Sequence, residues 1–178
     1  ILFTVNFIGR SFTPILPMHM QDLGVQGPRL ASATGILISV YSIAAVIVLL
    51  IGGVLIDRYG TVKSTIVFGA LCTIAAVVNA VTDDFGVMIA ARFILGLGAE
   101  PLIVAVTTSL AKWFKGKELA FAFGVNLTIA RLGSYAADLS PTWASSAYEG
   151  GWQPPLVIAA VIGALCLVGA ILYGILEV

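Results

Sequence analysis

Six apolar stretches, each about as long as a bilayer is thick and parted by short polar breaks, constrain this chain more than any other feature. A hydrocarbon layer of about 30 Å is crossed by roughly 20 apolar residues in a helix. Within it every backbone N–H and C=O must be satisfied inside the protein, which leaves helices or closed barrels. Runs of this length favour helices. They lie at about 1–18, 33–56, 62–82, 85–111, 119–140 and 154–176. The first is interrupted by Arg10, Pro14 and Pro17 and is expected to begin upstream of Ile1, so that the chain reads as a truncated one. Only 10% of the 178 residues are charged, against roughly 25% in a soluble domain. Water is therefore not the solvent of most of this surface.

The charges balance to zero, which gives no basic field for nucleic acid, and the informative quantity is where they lie. Arg58, Lys63, Lys112, Lys115 and Lys117 fall in the breaks after the second and fourth runs, whereas Arg29 alone lies in an opposite break. By the positive-inside rule, loops 57–61 and 112–118 face the cytoplasm. The first helix then runs outward, the chain ends inside near Glu177, and Asp22, Asp83, Asp84 and Glu149 face the other compartment. Trp113, Trp143 and Trp152 flank loops, where an indole suits the headgroup level. His19 follows two prolines in a polar stretch and is expected in a solvated loop. Cys72 and Cys166 sit in apolar runs and are expected to pack as small hydrophobes. Gly52, Gly53, Gly96, Gly98, Gly124 and Gly133 lie within runs, where small residues let helix backbones approach closely.

Between the second and third runs stands Gly53-Val54-Leu55-Ile56-Asp57-Arg58-Tyr59-Gly60. Gly53 suits close helix approach, Asp57 is placed to accept hydrogen bonds from a helix N-terminus, and Gly60 suits a tight turn. The segment resembles the G-x-L-x-D-R-x-G signature of the major facilitator superfamily. A second segment, Arg92-Phe93-Ile94-Leu95-Gly96, resembles that family's R-x-x-x-G signature. The resemblance implies an all-α membrane protein: six transmembrane helices as two inverted three-helix repeats, the first half of a twelve-helix carrier whose C-terminal half is missing here. It also implies that Asp57 and Arg58 form a cytoplasmic latch against that second half. The family pattern usually continues with two basic residues, whereas this chain has Thr61 and Val62 and delays the positive charge to Lys63.

Ionisable residues inside a span cost at least roughly 2.5–3.5 kcal/mol on insertion scales, so each is a functional candidate. They are Arg10, Arg92, Glu100, Arg131 and Asp138. At a rise of about 1.5 Å per residue, Glu100 and Arg131 both lie roughly 18–20 Å from the 112–118 loop, on antiparallel helices. Arg92 and Asp138 both lie about 30 Å from it. The central two are either a mutual salt bridge or two halves of a zwitterion site, Arg131 offering a fork to a carboxylate and Glu100 accepting an ammonium. Arg92 and Asp138 read as a structural or gating pair. Arg10, with Asn6 nearby, is a further substrate-binding candidate. Pro101 removes a backbone donor beside Glu100, an irregularity expected where a helix lines a wet site.

The words Gly98-Ala99-Glu100, Trp113-Phe114-Lys115-Gly116-Lys117-Glu118-Leu119, Phe123-Gly124 and Ala130-Arg131-Leu132-Gly133-Ser134 are similar to those of the lysosomal dipeptide uniporter branch of the superfamily. That likeness covers about the fourth and fifth runs. It implies that Glu100 reads a dipeptide's amino end and Arg131 its carboxylate. It further implies a lysosomal membrane and an accessory membrane glycoprotein, the plasma membrane being the other candidate residence. The expected partners are thus a small solute, the lipid bilayer and the second half. No P-loop glycine pattern or metal-ligand cluster is present in the sequence, so no cofactor and no enzymatic chemistry are expected. Alternatives are a proton-coupled symporter, an organic anion antiporter, or a membrane receptor or scaffold that moves no solute.

Overall fold

A computed structural model describes residues 1–22, 24 and 28–177. Six helices of 21 residues or more dominate it: α1 (Leu2–Asp22), α2 (Pro28–Tyr59), α3 (Thr61–Val81), α4 (Phe85–Trp113), α5 (Lys117–Asp138) and α8 (Gln153–Glu177). Two short helices, α6 (Ser140–Trp143) and α7 (Ser145–Glu149), lie between α5 and α8. Among the described residues, α2, α3, α4 and α8 are long and apolar enough to cross a membrane. The apolar runs of α1 and α5 are diluted by Asn6, Arg10 and Thr13 and by Asn126, Arg131 and Ser134.

The helix ends follow local chemistry. Asp84 caps α4, its carboxylate accepting from the Val87 amide at 2.9 Å, which satisfies one of the donors a helix start leaves free. Gly60 joins α2 to α3 with φ +85°, a conformation that side chains disfavour, so a one-residue turn is possible only there. The prolines do not behave as breaks. Helix α1 runs through Pro14 and Pro17 to Asp22, four residues past the expected end, because Phe12, Ile15, Leu16 and Met20 are buried against neighbouring helices. Tertiary packing there outweighs the backbone bonds the prolines remove. Pro101 likewise leaves α4 continuous, and its buried ring packs against Gly52 of α2.

Two expectations near α1 are overturned. His19 is fully buried rather than solvated, its ring stacked on Trp152 at 3.5 Å between centroids and 6° between planes. Trp152 is accordingly buried in the core rather than an exposed anchor, while Trp113 and Trp143 are exposed. Cys72 and Cys166 are buried and free.

The helices pack in a series: α5 on α1, α1 on α8, α8 on α3, α3 on α4 and α4 on α2, with α1 also lightly touching α2 and α4. Two close approaches set its tightest points. A methyl at Gly96 would stand 2.6 Å from the Tyr41 carbonyl oxygen, and one at Gly133 would collide with the Phe3 carbonyl. Side chains at either position would force α2 from α4, or α1 from α5. Gly53 and Gly124 meet nothing within 4 Å, so the close approach expected at Gly53 is made by Gly52 instead. The outward faces of α2 and α8 stay apolar, Leu50 and Leu176 being more than three-quarters exposed, as suits helices with lipid around them.

Candidate functional site

Helices α1, α2 and α4, with one residue from α5, enclose a cleft of about 320 Å³. Its polar wall includes Asn6, Arg10, Tyr41, Arg92, Glu100 and Ser134. Asn6 and Arg10 are four apart on α1 and so share a face. Glu100 comes from the middle of α4, held toward α2 by the Tyr41 hydroxyl, which donates to its carboxylate at 3.1 Å. That bond leaves the second carboxylate oxygen for another donor.

The two arginines in the cleft are held differently. Arg10 donates from Nε to both carboxylate oxygens of Asp138, at 3.0 and 3.2 Å, tying α1 to α5 with both side chains about half exposed. Arg92 is buried, its guanidinium 3.8 Å from the centre of the Phe12 ring and within 3.5 Å of the Gly9 carbonyl. The π face of Phe12 offsets part of the loss of solvent around the cation.

Asp138 therefore pairs with Arg10, not with Arg92 at its own depth. The reason is azimuth. Distance along a helix fixes level and says nothing of direction, and α5 packs on α1 but barely on α4, so Arg92 turns to α1. Glu100 and Arg131 form no salt bridge among the described residues. Arg131 is exposed and outside the cleft lining. It stands three residues before Ser134 and seven before Asp138, on one face of α5 with both. Glu100 and Arg10 thus share the cleft, while Arg131 lies on the same stripe of α5 farther from its C-terminal end.

At the α2–α3 turn, Asp57 and Arg58 are exposed, and Arg58 lies 5.8 Å from the Tyr59 ring centre. Gly60 supplies the turn, but among the described residues no amide of α3 donates to Asp57. Thr61, where the signature usually has a basic residue, is buried and accepts from Lys112 Nζ at 2.9 Å and from the Tyr173 hydroxyl at 3.2 Å. The positive charge reaches that position from α4 instead. Ser134 entered the sequence reading only within a resemblance word, although its signal was present, a hydroxyl in an apolar run on one helix face with Arg131 and Asp138. Tyr41 was not singled out and carried no such signal, the charged residue nearest it in sequence, Arg29, standing 12 positions away.

A family model described as Major Facilitator Superfamily matches residues 1–177. The chain belongs to that superfamily. Among curated major facilitator proteins, it is 36% identical over 123 residues to the lysosomal dipeptide transporter MFSD1 of Danio rerio, covering 66% of this chain and 27% of that one. It is 43% identical over 98 residues to the protein of that name in Homo sapiens, covering 53% and 21%. Over 174 residues it is 24% identical to a probable sulfoacetate transporter, SauU, of Cupriavidus necator, covering 97% and 38%. The chain thus spans between about a fifth and two-fifths of the length of these major facilitator relatives.

Proposed function

We propose that this chain forms the first half of a twelve-helix carrier that moves a small zwitterionic solute, of dipeptide kind, by alternating access. The helix packing supports a pair of inverted repeats. Exchanging α1, α2 and α3 for α4, α5 and α8 turns the α1–α5 contact into α4–α2 and the α1–α8 contact into α4–α3, leaving α3–α8 as its own counterpart. In this reading the missing half closes the open side between α2 and α5, where the cleft would become a chamber near the midplane.

The observation that carries the solute reading is a carboxylate and guanidinium groups on one small cleft. Glu100 takes the ammonium of the solute, positioned by Tyr41. Arg10, on the cleft wall, and Arg131, outside the lining but on the same stripe of α5 as Ser134, take its carboxylate, since a guanidinium fork matches a carboxylate in two parallel bonds. Asp57, Arg58, Gly53 and Gly60 belong to the cytoplasmic gate, with Arg92, on the cleft wall, and Asp138 holding α1 in place. The names of the MFSD1 relatives agree with this class, and with a lysosomal membrane as residence.

Binding and transport are tested on the full-length protein. Dipeptides should raise its Tm, with Glu100→Gln and Arg131→Ala each raising the half-saturating dipeptide concentration at least about tenfold. An unchanged shift in both variants would remove these residues from the site. In vesicles, dipeptide uptake that only equilibrates under an imposed pH gradient fits uniport, whereas accumulation requires proton coupling. A second reading, an organic anion as solute, is favoured by Arg10 and Arg92 both lining the cleft. It requires saturable uptake of a sulfonate or carboxylate that lacks an ammonium group.

A further inference from the structure

An apolar groove of about 330 Å³ lies outside the cleft, where the end of α2 meets the start of α3. Its lining is ordered by depth. Tyr59 and Lys63 stand beside the Gly60 turn, and Leu55 and Val67 lie four residues farther along their helices, about 6 Å deeper. Phe68 forms the wall at that level, and Ser64, itself buried, lies just below the rim. Nearly all of the lining is carbon. Lys63 is exposed and forms no ion pair among the described residues. Arg58, beside Tyr59 and outside the groove, likewise has no carboxylate partner, while Asp57 next to it is exposed and does not line the groove.

We propose that this groove binds one anionic phospholipid of the cytoplasmic leaflet. An acyl chain lies along Leu55, Val67 and Phe68, and Lys63 with Tyr59 meets the phosphate. The vertical order of the groove matches the vertical order of a lipid: charge and a hydroxyl at the headgroup level, hydrocarbon beneath. An unpaired lysine at the mouth supplies the complementary charge, and cations near an anionic surface each contribute about a fivefold preference. This rests on α2 and α3 spanning a membrane with the Gly60 turn at the cytoplasmic face, and is independent of which solute is carried.

The test is native mass spectrometry of the full-length protein in detergent, titrated with phosphatidylserine or with phosphatidylcholine of the same acyl chains. Phosphatidylserine should be retained about fivefold more tightly. Lys63→Gln should abolish the preference and Lys63→Arg keep it, while Val67→Trp, which fills the groove, should weaken both lipids. Equal retention by the unaltered protein, or an unchanged preference in Lys63→Gln, overturns the assignment. So does loss of the preference in excess inorganic phosphate, which would indicate a simple anion site. Photolabelling the unaltered protein with a phosphatidylserine bearing a mid-chain diazirine tests the place without relying on a folded variant. Labels on Leu55, Val67 or Phe68 support the groove, and labels only elsewhere overturn it.

Discussion

Arg10 and Arg92 carry the same charge in one cleft, yet they should respond to substitution very differently. Arg10 and Asp138 are each about half exposed, and exposed ion pairs contribute roughly 0.2–1 kcal/mol. A double-mutant cycle of Arg10→Ala with Asp138→Ala should therefore give a coupling below about 1 kcal/mol in detergent unfolding; a coupling of several kcal/mol would mean that the pair is shut away from water. Arg92 is buried over Phe12. Phe12→Leu keeps the apolar contact and removes the π face, which should destabilise by about 1–2 kcal/mol. His19 presents the opposite case. Both of its ring nitrogens are buried without a partner among the described residues, while its face stacks on Trp152. His19→Phe preserves the stack and removes the unmet polar atoms, so Tm should stay level or rise; a fall of several degrees would show that the nitrogens are satisfied in the folded protein.

Helix against helix, the outcome depends on which glycine faces a neighbour. At Gly96 any side chain meets the α2 backbone, which cannot move aside as a flexible side chain can. Gly96→Leu should separate α2 from α4 and cost at least about 1–3 kcal/mol, seen as a lost monodisperse peak or a lower Tm. Gly53 has open space around it, and a mid-helix glycine weakens a helix by roughly 0.5–1 kcal/mol relative to alanine. Gly53→Ala should be neutral or stabilising in Tm. If it impairs transport while leaving Tm intact, the second half closes against that face, as a latch at this turn requires. The same logic accounts for α1 continuing through two prolines, since its buried residues hold it from both sides of the interruption.

For the molecule as a whole, the unequal spread of lysine and arginine predicts a direction in the membrane. Lys63→Cys and Lys115→Cys should react with an impermeant maleimide from the cytoplasmic side alone, and Ser146→Cys, exposed on α7, from the opposite side alone. Cys72 and Cys166 are buried and should stay silent. The reverse pattern would invert the topology and place the groove beside α3 in the other leaflet. The open side between α2 and α5 is where a second half would add contacts, because these helices end the packing series and leave α5 with only Gly133 and Ala137 buried.

Hydropathy pointed to the helices and their approximate bounds, and the glycine and charge signatures pointed to the family, since both are properties of consecutive residues. The Gly60 turn and the buried cysteines were equally local matters. Partnerships across helices were not. Reading levels along the chain put Asp138 at the depth of Arg92 and Glu100 at the depth of Arg131, whereas packing joined Asp138 to Arg10 and Glu100 to Tyr41. Rise along an axis is set by the backbone, but the rotation of each helix is set by which of its small and bulky faces fits its neighbours. That fit, made at Gly96 and Gly133, chose which charges share the cleft.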